Sequence, residues 1–84
     1  MAIEKNIQDA LNKQINREFF SSHLYLSMAA WFETLNMSGF ANWLKIQSEE
    51  ERGHAMKFFD HIVTRGGEVE LYEIDKPETK WDSP

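Results

Sequence analysis

The sequence predicts an all-α fold in which two antiparallel helices form a hairpin. Residues 3–35 contain no Pro or Gly and carry apolar side chains at helical spacing. A polar break at residues 36–39 separates this segment from a second periodic segment that reaches residue 65. The chain has 84 residues, of which 42% are hydrophobic, so it holds at most one small domain.

The first helix is expected at about residues 3–35. Its apolar residues recur at Ile3, Ile7, Leu11, Ile15 and Phe19, and again at Tyr25, Met28 and Phe32. Asn36 is suited to end this helix in the left-handed conformation, and Ser38 is a preferred N-cap for the helix that follows. Because the connection is short, the two helices are expected to be antiparallel neighbours.

The second helix is expected at about residues 39–65, with Phe40, Leu44, Phe58 and Ile62 on one side. The pair Gly66–Gly67 follows Arg65 and forms a helix stop. Residues 66–84 begin with alternating apolar and polar side chains, but the sequence offers no second strand to pair with them. We therefore expect residues 66–84 to form an extended tail on the surface of the hairpin.

Charge and composition exclude several classes of protein. The net charge is −5 and the basic residues are scattered, so there is no basic surface for nucleic acid. No apolar run approaches the ~20 residues of a membrane span, and the first residues lack the apolar core of a signal peptide. Cys is absent, which excludes disulfides and thiolate metal sites. A cytoplasmic location is the expectation.

Two glutamates interrupt the apolar sides of the predicted helices. Residues seven apart on a helix share a face, with a drift of only ~20°. The two rows at this spacing are Leu11, Glu18, Tyr25 and Phe32 on the first helix and Leu44, Glu51 and Phe58 on the second. His54 lies three residues after Glu51, so both side chains can reach one atom. Counted from the turn, Glu18 and Glu51 lie at similar heights, within about one turn of each other.

A carboxylate buried without a partner costs several kcal/mol, so it must be protonated, paired with a cation or bound to a metal. Arg17 and Arg52 lie ~100° around their helices from the adjacent glutamates, so the apolar stripe offers no cation. Two carboxylates and an imidazole suit Fe(II), Mn(II) or, less specifically, Zn(II). One Glu facing a Glu-x-x-His is the arrangement of di-iron carboxylate bundles.

The competing interpretation of Glu51 and His54 is an ordinary polar helix face, and Glu18 on the matching stripe favours the metal site. Glu49 and Glu50 are expected in solvent, with Glu50 also a candidate outer ligand. The other two histidines, His23 and His61, are expected at the surface or between helices and not as ligands.

Four stretches of the sequence resemble the first two helices of prokaryotic non-haem ferritins. They are NRE at 16–18, SSHLYLSMA at 21–29, GFANWLK at 39–45 and QSEEERGHA at 47–55. Residues 65–67 and 69–81 resemble the start of the crossover loop in that family. The resemblance covers essentially the whole chain and implies the N-terminal half of a ferritin-like four-helix bundle.

The resemblance also implies roles for the residues singled out above. Glu18 and His54 would be terminal ligands of a first iron, and Glu51 would bridge two irons. Tyr25 would be a hydrogen-bonding or redox residue beside the ligands, and Glu50 would bind an additional iron. The implied activity is the oxidation of Fe(II) by O2 or peroxide in an iron-storage cage. No haem is expected, because Arg52 stands where bacterioferritins carry their haem-binding Met.

Such ferritins continue with two more long helices that complete the second iron site. We therefore expect these 84 residues to need a second hairpin, either by self-association or from a complementary C-terminal half. Whether the 84 residues alone are an enzyme is left open. Two other functions also remain open: a rubrerythrin-like di-iron peroxidase, and a metal-free helical hairpin that only oligomerises.

Overall fold

The computed structural model describes residues 3–83, and in it the chain is an antiparallel hairpin of two long helices. Helix α1 is Lys5–Thr34 and helix α2 is Ser38–Thr64. The predicted all-α hairpin is thereby confirmed. Pro84, the last residue of the predicted tail, lies outside the described residues. Neither helix in the described part carries an apolar stretch of the length needed to cross a bilayer.

The turn between the helices is set by Asn36, which has a φ of 58°. The backbone N–H of Met37 donates to the Phe32 carbonyl at 3.0 Å, and the N–H of Asn36 donates to the Glu33 carbonyl at 3.1 Å. This pair of bonds is a Schellman motif, which satisfies the last carbonyls of α1. The prediction of Ser38 as N-cap is wrong: Ser38 is the first helical residue, and Met37 is the cap, with no side-chain bond.

The end of α2 uses the same motif, with Gly66 at a φ of 76°. The N–H of Gly67 donates to the Ile62 carbonyl at 2.8 Å. Gly67 is also a point of close approach, because a Cβ there would lie 2.6 Å from Ile3 Cγ2 and 2.7 Å from Gln8 Oε1. The glycine therefore lets the tail leave α2 directly against the first turn of α1.

The core has two apolar clusters, one on each side of a polar layer at the middle of the hairpin. The clusters are Ile15, Ala55 and Ile62 towards the open end, and Ala29, Ala41 and Leu44 towards the turn. In the layer between them, Ser48 Oγ donates to the Ser22 carbonyl at 2.8 Å, and the two hydroxyls are bonded to each other at 2.8 Å. Because serine side chains are short, these bonds require the two helices to lie close together at mid-length.

The tail, residues 66–83, is extended and runs along α1 towards the turn, as a set of side chain to backbone bonds shows. Asn12 is 1% exposed; its amide donates to the Glu68 carbonyl and accepts from the Glu70 N–H. Three other α1 side chains also bond the tail backbone: Gln8 at Glu68, Asn16 at Tyr72 and Glu73, and Ser27 at Glu78. The tail thus covers the side of α1 that carries these polar residues.

Candidate metal centre

The hairpin brings Glu18 of α1 together with Glu51 and His54 of α2. One possible ligand atom from each residue lies within 4.8 Å of the other two. His54 Nδ1 is 3.6 Å from Glu18 Oε2 and 3.8 Å from Glu51 Oε2. The three ligand atoms are therefore close enough for one ion between them to lie near all three.

The position of the three side chains follows from the helix packing. The seven-residue rows keep Glu18 and Glu51 at the edge of the packed seam, where their side chains are 15% and 22% exposed. His54 lies one turn beyond Glu51 and its side chain is 51% exposed. The group is therefore walled by the helices on one side and open to solvent at the imidazole.

The two carboxyl groups perturb each other. A hydrogen bond shared with Glu51 lowers the pKa of Glu18, and further hydrogen bonds from Gln14 and His54 act in the same direction. The same bond to Glu18 raises the pKa of Glu51, with burial and the Glu18 charge adding to the rise. Glu51 is thus the carboxyl group that holds a proton more readily when no metal is bound.

Gln14 is a residue of the site that the sequence analysis missed. Its Nε2 donates to Glu18 Oε1 at 2.9 Å, which fixes one carboxylate oxygen and leaves Oε2 turned towards His54. The four-residue spacing of Gln14 and Glu18 could have predicted this contact, because residues four apart on a helix lie side by side. A side chain that orients a ligand in this way raises the precision of the site.

The other predicted site residues lie outside this group. Tyr25 is partly buried and packs against the apolar cluster at Ala29, Ala41 and Leu44, about two helical turns along α1 from Glu18. Within residues 3–83 its hydroxyl makes no hydrogen bond. Glu50 is exposed and is not one of the three grouped residues. Their predicted roles beside the ligands therefore stay predictions.

The donor set consists of two carboxylates and one imidazole nitrogen, with no lysine or arginine among them. Such a set favours divalent ions that prefer oxygen and nitrogen ligands. Both helices contribute, so the site exists only when the hairpin is folded. Fold and donor set together define a helical-bundle protein with a candidate carboxylate–histidine metal centre.

Comparison with known proteins gives the family. Residues 8–84 match the model of the ferritin-like domain, and the chain belongs to the ferritin family. A bacterial non-heme ferritin of Bacteroides fragilis is 48% identical over 82 residues, which are 98% of this chain and 52% of the relative. One from Staphylococcus haemolyticus is 40% identical over 81 residues, 96% of this chain and 49% of the relative.

Solved ferritin structures contain the same pair of packed helices. An open-pore ferritin from the hyperthermophilic archaeon Archaeoglobus fulgidus superimposes with a TM-score of 0.96 at 48% identity. The match covers 100% of this chain and 52% of that one. The two packed helices thus form half of the ferritin fold, and the chain spans about half the length of the curated relatives it matches.

Proposed function

We propose that the chain is part of a ferritin-type iron-storage protein that binds Fe(II) at Glu18, Glu51 and His54 and oxidises it. The observation that carries the proposal is the grouping of three ligand atoms within 4.8 Å, contributed by two helices of a ferritin-family fold. Fe(II) is the substrate here, and O2 or peroxide is the electron acceptor.

The chemistry of the side chains explains why oxidation would be favoured at this position. Carboxylate oxygens are hard anionic ligands, and they stabilise a trivalent ion more than a divalent one. Their partial burial strengthens this preference, because solvent screens the charges less. Glu18 and Glu51 thus lower the free energy of the oxidised product, and His54 completes the set as a neutral donor.

Binding also involves a proton. Glu51 holds a proton more readily than an ordinary glutamate, because its carboxyl group shares a hydrogen bond with Glu18 and its pKa is raised. A divalent cation needs the ionised form, so protons compete with Fe(II) for Glu51 more strongly than for an ordinary glutamate, and Fe(II) binding should weaken as pH falls. The exposed imidazole of His54 gives the ion a short path from solvent.

The remaining roles in the proposal come from the family resemblance. Glu18 and His54 would be terminal ligands, Glu51 would bridge two irons, and Tyr25 would act beside them as a hydrogen-bonding or redox residue. Glu50 faces solvent next to Glu51 and is the proposed ligand of an additional iron at the entrance. Assembly into a cage and a cytoplasmic location belong to the same proposal.

The test is anaerobic titration with Fe(II), followed by addition of O2 and measurement of O2 consumed and Fe(III) formed. We expect binding and oxidation by the chain, loss of both in Glu51→Ala, and retention in Glu49→Ala, whose side chain is exposed. Equal oxidation by Glu51→Ala would reject the assignment. Turnover only with peroxide and an external reductant would instead identify a rubrerythrin-like peroxidase. If the chain bound no iron at all, it would be identified as a metal-free hairpin.

A further inference from the structure

We propose that Gln14 holds Glu18 as a one-oxygen ligand and thereby favours ions of the size of Fe(II) over larger divalent ions such as Ca²⁺. The inference rests on the proposed function, since it takes Glu18, Glu51 and His54 to be metal ligands. It goes further by giving a fourth side chain a part in deciding which ion the site accepts. Gln14 acts through Glu18, so it is a positioning residue.

The two oxygens of the Glu18 carboxylate have different surroundings. Oε1 accepts a hydrogen bond from Gln14 Nε2 at 2.9 Å, whereas Oε2 lies 3.6 Å from His54 Nδ1. Helical side chains lean towards the N-terminus of their helix, so the side chain of Glu18 reaches back to the turn that carries Gln14. One oxygen is therefore held along α1, and the other faces α2 and the other candidate ligands.

The hydrogen bond between Gln14 and Glu18 resists rotation of the carboxylate. It joins two partly buried side chains at a spacing of four residues, which brings them side by side on the helix. An ionised carboxylate only accepts hydrogen bonds, so the amide must turn its N–H group, and not its carbonyl, towards Glu18. A hydrogen bond to a charged group is stronger than one between neutral groups. Turning Oε1 away from Gln14 is therefore unfavourable.

The orientation of the Glu18 carboxylate determines how it can bind a metal ion. An ion that is chelated by a carboxylate lies at similar distances from both oxygens, whereas an ion bound by one oxygen lies near that oxygen only. An ion held together with His54 lies on the Oε2 side of Glu18. To chelate this ion, the carboxylate would have to swing Oε1 towards it and away from Gln14. The hydrogen bond thus favours binding through Oε2 alone.

The size of the ion decides how much this restriction matters. Ca²⁺ takes about six to eight oxygen ligands at ~2.3–2.6 Å and often binds both oxygens of a carboxylate. Smaller divalent ions hold fewer ligands at ~2.0–2.2 Å, and one oxygen of a carboxylate satisfies them. A Glu18 that offers a single oxygen therefore weakens the binding of Ca²⁺ more than that of Fe(II).

Gln14 restricts Glu18 without weakening the attraction of the site for cations. A Lys or Arg at this position could donate a similar hydrogen bond, but its positive charge would repel the metal ion. The amide of Gln14 is neutral, so the charges of Glu18 and Glu51 remain available to the ion. Orientation of the ligand is thus separated from neutralisation of its charge.

The second helix provides a comparison at the same spacing. Gln47 lies four residues before Glu51, as Gln14 lies four residues before Glu18, and it is also partly buried. Within residues 3–83, however, Gln47 donates no hydrogen bond to Glu51. The restriction therefore falls on Glu18 and not on Glu51, and Gln47→Met is a matched control for Gln14→Met.

The first measurement is calorimetric titration of the protein with Fe(II) under nitrogen and, separately, with Ca²⁺. Gln14→Met removes the donor and keeps an unbranched side chain of similar size. We expect it to bind Fe(II) more weakly and Ca²⁺ more tightly, with the ratio of the two dissociation constants shifted towards Ca²⁺ at least about tenfold, the factor for one hydrogen bond to a charged group. Gln14→Asn, one methylene too short for the bond, should shift the ratio likewise, although Asn and Met differ in helix propensity. Gln47→Met should leave the ratio unchanged.

The second measurement is the infrared difference spectrum between Ca²⁺-saturated and metal-free protein. The gap between the antisymmetric and symmetric carboxylate stretches is wide when one oxygen binds the ion and narrow when both do. We expect one carboxylate with a wide gap in the wild type and in Gln47→Met, and loss of this wide gap in Gln14→Met. A purely structural role of Gln14 would change stability or affinity but would not change this gap.

The outcomes separate this inference from the proposed function. If Gln14→Met weakens Fe(II) and Ca²⁺ by the same factor, or leaves the infrared gap unchanged, Gln14 does not select the ion, and Fe(II) binding and oxidation still stand. Absence of any wide gap in the wild-type spectrum would also overturn the inference, and this result needs no variant to fold. An equal shift in Gln47→Met would overturn it as well. If the wild type bound no Fe(II), both proposals would fail.

Discussion

Replacement of Glu51 by Gln should change the stability of the protein in opposite directions with and without metal. Gln keeps the shape of the side chain and removes its charge. In the metal-free protein at neutral pH, the substitution ends the repulsion between Glu18 and Glu51. With Fe(II) bound, it removes a ligand. The sign of the effect should therefore depend on the metal.

The structure sets the size of the metal-free effect. The ligand atoms of the group lie within 4.8 Å of one another, and two unit charges at that largest separation repel by about 1 kcal/mol in water and by about 3.5 kcal/mol at an effective dielectric constant of 20. Side chains that are 15% and 22% exposed lie between these limits. We expect Glu51→Gln to raise the free energy of unfolding by about 1–3 kcal/mol in the presence of a chelator.

The metal-bound effect follows from linkage. A ligand that binds only the folded state at a hundred times its dissociation constant adds ~2.7 kcal/mol. The wild type should gain this amount from anaerobic Fe(II), and Glu51→Gln should gain much less. The order of stability of the two proteins should therefore reverse when Fe(II) replaces the chelator.

The assay is urea unfolding at fixed chain concentration, followed by the helical circular dichroism signal, with Glu49→Gln as the control of equal charge change. The control should shift little under either condition, because its side chain is exposed. A destabilised metal-free Glu51→Gln, or equal gains from Fe(II) in both proteins, would refute the reasoning.

Three further predictions concern single residues. Asn12→Ala should lower the free energy of unfolding by ~1–3 kcal/mol, because two tail hydrogen bonds are lost, and hydrogen exchange at the Glu70 amide should speed up. Gly67→Ala should destabilise the folded protein by ~1–3 kcal/mol in thermal unfolding, because the new Cβ would make close contacts. Gly53→Ala should instead stabilise it by ~0.5–1 kcal/mol, because Gly53 lies within α2 and a Cβ there meets open space. In metal-free protein, the gain in unfolding free energy from Glu51→Gln should vanish at low pH.

The sign of the pH effect follows from the two shifted carboxyl groups. A raised pKa means that the folded state binds the Glu51 proton more tightly, so stability from this group is present below its ordinary pKa of 4.5 and is lost as pH rises through the folded pKa. The pKa of Glu18 is lowered, so its contribution is present above 4.5 and is lost as pH falls through the folded pKa. A difference between wild type and Glu51→Gln that stays constant from pH 3 to 7 would contradict this account.

Matched substitutions control the other two predictions. Asn16→Ala removes tail bonds that are exposed, so it should cost less than Asn12→Ala. An equal cost would show that burial of the Asn12 amide has no special effect. If Gly67→Ala were as stable as Gly53→Ala, the first turn of α1 would not lie against Gly67.

Much of the site geometry could be predicted from helical spacing alone. The seven-residue rows place Glu18 and Glu51 on facing stripes, and counting from the turn gives their similar heights. The left-handed conformation expected for Asn36 is confirmed, because few other residues accept a positive φ. The N-cap lies one position before Ser38, since helix boundaries depend on backbone angles that local composition does not determine.

The course of the tail could not be predicted, because an extended segment carries no periodicity that identifies its partner. Its docking depends on Gln8, Asn12 and Asn16, which bond to backbone atoms up to 60 residues away. Their four-residue spacing places them on one side of α1, but a polar side of a helix is equally compatible with exposure to water. Only the tertiary structure shows that the Asn12 amide is buried.

The bonded hydroxyls of Ser22 and Ser48 have a consequence for how the chemistry of this hairpin could change. They lie about one turn from the carboxylates and hold the lengthwise alignment of α1 and α2 without carrying charge. Sliding one helix past the other would break both bonds at once. The residues that align the helices and the candidate ligands Glu18, Glu51 and His54 are thus separate sets. Other donors at those three positions would be held in the same alignment, so the hairpin could be adapted to different metals by changing the donors alone.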